Sequence, residues 1–185
     1  IHFYIGDNKG KVLIVEYING TRYEYDNPVG VLTNSPSFNW HLENLSNYVN
    51  LSPTNASAQK INDLEVASIG QGSGLLGLPG DYTPPSRFVR AALYSSYAMP
   101  DSTAFETARS GFHVLNTFDI FFGAVRNPKL NSPKLMNASV GVASELEKCL
   151  AKDTEYTQWA VVHDRSNLKT YFRSYESLQI QMVDL

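Results

Sequence analysis

The chain has 185 residues, 43% of them hydrophobic, and a formal net charge of -3, enough apolar material for one domain with a substantial core. Its basic and acidic residues are mixed along the sequence, which argues against a nucleic-acid or membrane-surface footprint. No run of about eighteen apolar residues is present to form a spanning helix.

The first 26 residues read as strands. HFYIGD, KVLIVEYI and TRYEYD are rich in β-branched and aromatic residues, and Asn19-Gly20 between the second and third is a two-residue hairpin signal. VGVLTN, residues 29–34, predicts a further strand that stops by Pro36, because Ser35 before the proline is pushed to extended geometry. Asn34 would then sit at the end of a strand, at a sheet rim. The ordinary alternative is a turn asparagine before Ser-Pro. A helix is expected over 38–51, where Phe38, His41, Leu42, Leu45, Tyr48 and Val49 recur at helical spacing and Ser37 is a natural cap. Residues 52–69 are polar and irregular.

Residues 70–90, GQGSGLLGLPGDYTPPSRFVR, combine glycines at 70, 72, 74, 77 and 80 with prolines at 79, 84 and 85. This composition predicts a shaped loop rather than a flexible linker. A helix follows over 84–97, with Thr83 as its cap and Pro84 at the first position. Arg87 and Arg90 fall in its first turns, where the macrodipole disfavours cations. A solvated surface pair is the plain reading, and a functional pair is the other. The loop is neither GxGxxG nor a P-loop, so a nucleotide site is not expected.

A third helix is expected after Pro100-Asp101-Ser102, through Phe105, Ala108, Phe112 and Leu115. Residues 118–140 are mixed, and from Tyr156 strands return as TQWAVVHD, KTYFRSYE and LQIQMVDL. The order strands, helices, strands with hairpin connections predicts an antiparallel sheet with helices on a face.

Chemistry-bearing residues are sparse. The single cysteine, Cys149, excludes an internal disulfide within the chain and a multi-cysteine metal site; in VASELEKCLAKD it reads as a structural thiol on a short helix. His2, His41, His113 and His163 show no metal-ligand spacing, and neither metal nor cofactor is expected. Five N-x-S/T sequons, at Asn19, Asn44, Asn50, Asn55 and Asn137, matter only in a secreted eukaryotic protein.

NPVGVLTNSPSFNWHLENLSNY together with IGQGSGLLGLPGDYTPPSRFVRAA resembles the choloylglycine hydrolase family of bile salt hydrolases and penicillin V acylases. FHVLNTFDIFFGAVR and WAVVHDRSNLKTYFRSYESLQIQMVDL are similar to the family's continuation, with one departure: a proline is expected in place of Phe121. The resemblance implies an α+β fold, the αββα four-layer sandwich of N-terminal-nucleophile hydrolases, with residues 1–185 as a single partial domain from its C-terminal part. It implies cleavage of a small-molecule N-acyl amide by a cysteine at the mature N-terminus. Asn34 and Arg87 match the family's active-site asparagine and arginine; Arg90 matches none, so Arg90→Lys is expected to affect turnover little.

Position 1 is Ile, inside a strand pattern, and Cys149 matches no nucleophile position. The chain is therefore expected to need a missing N-terminal half as partner, to be inactive and poorly stable alone, and to form a homo-oligomer when complete. A non-catalytic domain that kept the scaffold is the alternative, and the compartment and the choice among bile salt, penicillin V and other acyl amides stay open.

Overall fold

The computed structural model describes residues 1–99, 101–121, 124–126 and 154–184. The helix expected around Cys149 lies outside them. Two compact units follow each other along the chain, Ile1–Pro100 and Asp101–Leu185.

The first unit opens with three antiparallel strands, β1 (His2–Gly6), β2 (Val12–Ile18) and β3 (Thr21–Asp26), in the order β1-β2-β3. The β2–β3 turn is the expected one: Asn19 and Gly20 both have positive φ, at 50° and 81°, as a two-residue hairpin turn demands. One sheet face carries Val12, Ile14 and Tyr25 and packs on α1 (Phe38–Asn44) and α2 (Pro84–Tyr97). Val12, Ile14, Val31, Phe38, Phe88 and Ala92 form the core, with the Phe38 and Phe88 rings edge-on at 6.2 Å. The other face leaves Phe3, Ile5 and Tyr17 exposed.

Charged groups set into this apolar pattern organise it. Glu16 lies on the core face of β2 and is 1% exposed. Its carboxylate accepts the Phe38 N–H at 2.9 and 3.0 Å and faces His2 Nδ1 at 2.5 Å. Ser37, the expected cap, makes no side-chain capping bond; a carboxylate 22 residues upstream satisfies the helix start instead. The α-helix is also shorter than expected, passing at Leu45 into a 3-10 turn that ends at Tyr48.

The strand expected over 29–34 does not form. Asn27 closes the chain on itself: its Oδ1 accepts from the Val29 and Gly30 N–H groups, and its Nδ2 donates to Val31 O. Val31 then buries in the core, so the apolar residues read as a strand are used in packing, not in a ladder. Conversely, 52–69 holds a small hairpin, β4 (Gln59–Ile61) and β5 (Leu64–Val66), turning at Asn62 with φ 54°; three-residue strands give too little periodicity to read.

The glycine loop is shaped, as expected. Asn55 Oδ1 accepts from Gly72 N at 2.7 Å, and Ser52 N donates to Gly74 O at 2.9 Å. A Cβ at Gly74 would stand 2.0 Å from Thr54 O, so only glycine allows this approach. At the far end Asp81 turns the chain into α2. Its carboxylate accepts from Thr83 N and Oγ1 and from Ser86 Oγ. Thr83 occupies the cap position without a side-chain capping bond, so Asp81 supplies the negative charge. Arg90 is 4% exposed, and its guanidinium donates to Pro79 O at 2.6 Å and Asp81 O at 2.8 Å. The plain reading of a solvated arginine pair is thus wrong for Arg90, which holds the glycine–proline loop to the helix from inside.

In the second unit, α3 (Ala104–Asn116) begins at Thr103, whose Oγ1 accepts the Glu106 N–H while Glu106 Oε2 accepts from the Thr103 and Ser102 hydroxyls. Two short strands pair, β6 (Val125–Arg126) with β7 (Thr154–Glu155). The antiparallel sheet has the order β10-β9-β8, from β8 (Trp159–Asp164), β9 (Lys169–Ser174) and β10 (Gln181–Asp184). Ala108 and Phe112 of α3 pack on Ala160 and Tyr171. Arg173, 5% exposed, joins β9 to the end of α3 through Asn116 Oδ1 at 2.7 Å and Asp119 Oδ2 at 2.6 Å.

Two predictions follow from the loop. The Ser86 and Thr83 hydrogen bonds hold the Asp81 carboxyl at about 2, below its ordinary 3.8. A carboxyl depressed on folding favours the fold above its unfolded pKa, so this contribution is full above about pH 4 and fades as pH falls toward 2. Asp81→Asn should therefore lower the urea midpoint at neutral pH and flatten its fall between about pH 4 and 2. Arg90→Lys should lower unfolding stability by about 1.5–3 kcal/mol, the range for hydrogen bonds to a charged group, measured by urea denaturation at pH 7.

Candidate active site

Asn34 lies in the irregular segment between β3 and α1, not at a strand end. Three contacts fix that segment. Val31 is anchored in the core, the Thr33 hydroxyl donates to Pro84 O at 3.2 Å, and Asn34 Oδ1 accepts from Arg87 Nη2 at 2.7 Å. Residues 51 and 53 positions apart are thereby joined at the first turn of α2.

The pair has one sensible orientation. A guanidinium carries only donors, so the atom facing it must be the amide oxygen. The Nδ2 group of Asn34 is left pointing away from Arg87, in an exposed position. Arg87 Nε donates to Tyr82 O at 3.1 Å, which fixes the guanidinium from the loop side. That carbonyl and the Asn34 oxygen offset the poor placement of a cation near a helix start. The outcome is an exposed amide held beside a permanent positive charge, groups with the chemistry to stabilise negative charge on an oxygen.

Beneath Asn34 lies His41, fully buried on α1. Its ring stacks on Phe88, with centroids 4.6 Å apart and planes at 11°, and meets Trp40 edge-on. Nε2 faces Thr33 Oγ1 at 3.4 Å. Burial pushes its pKa below the ordinary 6.5, against the opposing pull of the Asn34 backbone and Glu16. A neutral ring results at neutral pH.

His2 faces Glu16, His113 is in the last turn of α3, and His163 on β8 meets Thr170 Oγ1 at 3.0 Å. Among the described residues no group of three His, Cys, Asp or Glu side chains is gathered as a metal site. A cavity of about 620 Å³ lies between the β4–β5 hairpin and the glycine loop, with Ala56, Ile61, Val66, Ile69 and Leu76 in its wall. Neither Asn34 nor Arg87 lines it.

Sequence reasoning singled out Asn34 and Arg87, and the structure brings them into direct contact. It missed Tyr82, Thr33 and His41 around them. Tyr82 acts through its carbonyl, which any residue possesses, and Thr33 and His41 look like ordinary members of their segments; only the long-range contacts distinguish them.

Residues 1–136 match the family described as linear amide C–N hydrolases, choloylglycine hydrolase family. The chain is 32% identical over its full length to the bile salt hydrolase/transferase of Clostridium perfringens, covering 50% of that protein. It is 41% identical over 128 residues to the conjugated bile acid hydrolase of Lactobacillus acidophilus, which takes in 69% of this chain and 40% of that one. Among solved structures, a variant of the C. perfringens conjugated bile acid hydrolase superposes with a TM-score of 0.77 at 31% identity, over 100% of this chain and 49% of that one. The penicillin V acylase of Agrobacterium tumefaciens, at 22% identity and a TM-score of 0.65 over 100% and 45% of the two chains, shares the fold. The chain thus spans about half the length of these relatives, and its helices and antiparallel sheets are part of the N-terminal-nucleophile hydrolase fold. It belongs to the choloylglycine hydrolase family of linear amide C–N hydrolases.

Proposed function

We propose that this chain supplies the oxyanion-stabilising side of an amide hydrolase whose cysteine nucleophile lies outside these 185 residues, and that both compact units are parts of one such domain. The observation that carries this reading is the 2.7 Å hydrogen bond from Arg87 to the oxygen of the exposed Asn34, which leaves the Nδ2 protons unused by Arg87. The thiolate attacks the carbonyl carbon of an N-acyl amide, and the C=O π pair moves onto the oxygen. Asn34 Nδ2–H donates to that oxyanion, while Arg87 fixes the amide's orientation and adds positive potential. The thiol proton, held by the nucleophile's own α-amino group, passes to the leaving nitrogen as collapse re-forms the carbonyl and expels the amine. Water then attacks the thioester carbonyl, releasing the acid and the thiol.

Conjugated bile acids are the substrate class this reading favours, because the relatives named for them reach 32% and 41% identity. The penicillin V acylase of Pectobacterium atrosepticum is 26% identical. Release of glycine or taurine from conjugated bile salt by the full-length protein, at a higher kcat/KM than release of phenoxyacetate from penicillin V, is the expected result. The reverse ranking would move the substrate assignment to penicillin V.

In the same protein Asn34→Ala should lower kcat by about 10²–10³-fold with little change in KM, the loss seen when one oxyanion donor is removed. Arg87→Lys should also lower kcat, since a point charge on a flexible stem does not reproduce the planar fork that holds both Tyr82 O and Asn34 Oδ1. Arg90→Lys should act on stability, leaving turnover per folded molecule near wild type. Equal losses of turnover per folded molecule for Arg87→Lys and Arg90→Lys would refute the site assignment.

A further inference from the structure

The geometry points to His41 as a positioning residue that sets the Asn34 segment through its imidazole N–H. This deepens the oxyanion reading above and rests on it. A fully buried, stacked aromatic position on a core helix face is one that phenylalanine would fill as well, and the His41 ring stacks on Phe88 as a phenyl ring would. The histidine differs in its nitrogens.

The Thr33 hydroxyl has one proton, and that proton goes to Pro84 O, a group that can only accept. The Thr33 oxygen therefore turns a lone pair to His41, and Nε2 must carry the hydrogen across the 3.4 Å contact. Nδ1 is buried and has no hydrogen-bond partner among the described residues. In the neutral ring it is a bare lone pair, which is cheaper to bury in a dry interior than a charged ring, although hydrogen bonding to the Asn34 backbone opposes the loss of charge. The lowered pKa agrees with this tautomer. His41 thus joins α1 to Thr33, the residue immediately before Asn34, and Thr33 in turn joins the first residue of α2. Since Arg87 rises from the first turn of that helix, one donor on α1 fixes both partners of the Asn34–Arg87 pair relative to each other.

The test compares variants of the full-length hydrolase by kcat, KM and urea midpoint. His41→Phe keeps the stacking ring and loses the donor. His41→Gln places an amide N–H near the Nε2 position and loses the ring. Thr33→Val keeps the shape and removes the hydroxyl, so it reports on the same link should His41→Phe not fold. Positioning predicts that kcat falls about tenfold or more in His41→Phe and Thr33→Val with KM unchanged, as expected for a displaced donor. It also predicts that His41→Gln is the less stable of the two His41 variants but the more active. A merely structural histidine gives the same order for stability and turnover, and that result would overturn the proposal. In an Asn34→Ala background, His41→Phe should lower kcat no further; an undiminished loss there would overturn it as well. Loss of turnover in Asn34→Ala with none in His41→Phe defeats this inference alone. Unchanged turnover in Asn34→Ala defeats the oxyanion reading and this inference with it.

Discussion

The hydrogen bond from Arg87 to Asn34 joins residues 53 positions apart, and the first unit is built so that this bond can form. The start of α2 has to meet a segment that belongs to no strand or helix. Burial of Val31 with Phe38 and Phe88 brings the two together, and the Asn27 side chain shapes the approach by tying off the backbone groups that a ladder would otherwise have used. Apolar packing provides the adhesion here. The aim of one side-chain amide comes from a few directional bonds to carbonyls and a guanidinium.

Those bonds involve charged or titratable groups placed inside apolar patterns. Glu16 interrupts the core face of β2 to satisfy the start of α1, and Arg90 lies within the buried stripe of α2 to hold the carbonyls of Pro79 and Asp81. Arg173 on β9 does a comparable thing for Asn116 and Asp119 in the second unit. Each would be expensive to bury alone. Each instead meets backbone or side-chain groups at an irregular stretch, where such groups have no secondary-structure partner. The polar residues of this core mark the places where chain ends and loops must be held still.

The glycine loop shows how conformation and charge divide the work. Gly74 lets the backbone run against residues 52–54, and Asn55 holds Gly72 and Ser73 in place. From Pro79 onward the constraint becomes electrostatic, with Asp81 drawing in the hydroxyls of Thr83 and Ser86 at the start of α2. A helix start organised by a carboxylate tolerates the cationic Arg87 in its first turn, because opposite charge is close at hand.

The sequence by itself determined what local chemistry controls. The Asn19-Gly20 turn, the extent of α2 from Pro84 to Tyr97 and the closing strands are set by neighbours a few residues away: turn dihedrals, proline at a helix start and alternation along a strand. Family motifs in LTNSP and PSRFVR singled out Asn34 and Arg87, and the two side chains are in contact. Only the tertiary structure decided that residues 29–34 are not a strand, since strand-forming residues can spend their apolar surface in a core without a ladder. It also decided that Arg90 is inside while Arg87 reaches Asn34, which two arginines one turn apart on a helix cannot reveal. The cap of α1 by Glu16 and the setting of His41 on Phe88 beneath Thr33 are likewise tertiary. In the first case core packing of Val31 and the local bonds of Asn27 replace a ladder; in the other three a hydrogen bond between groups that packing brings together leaves no periodic trace in the sequence.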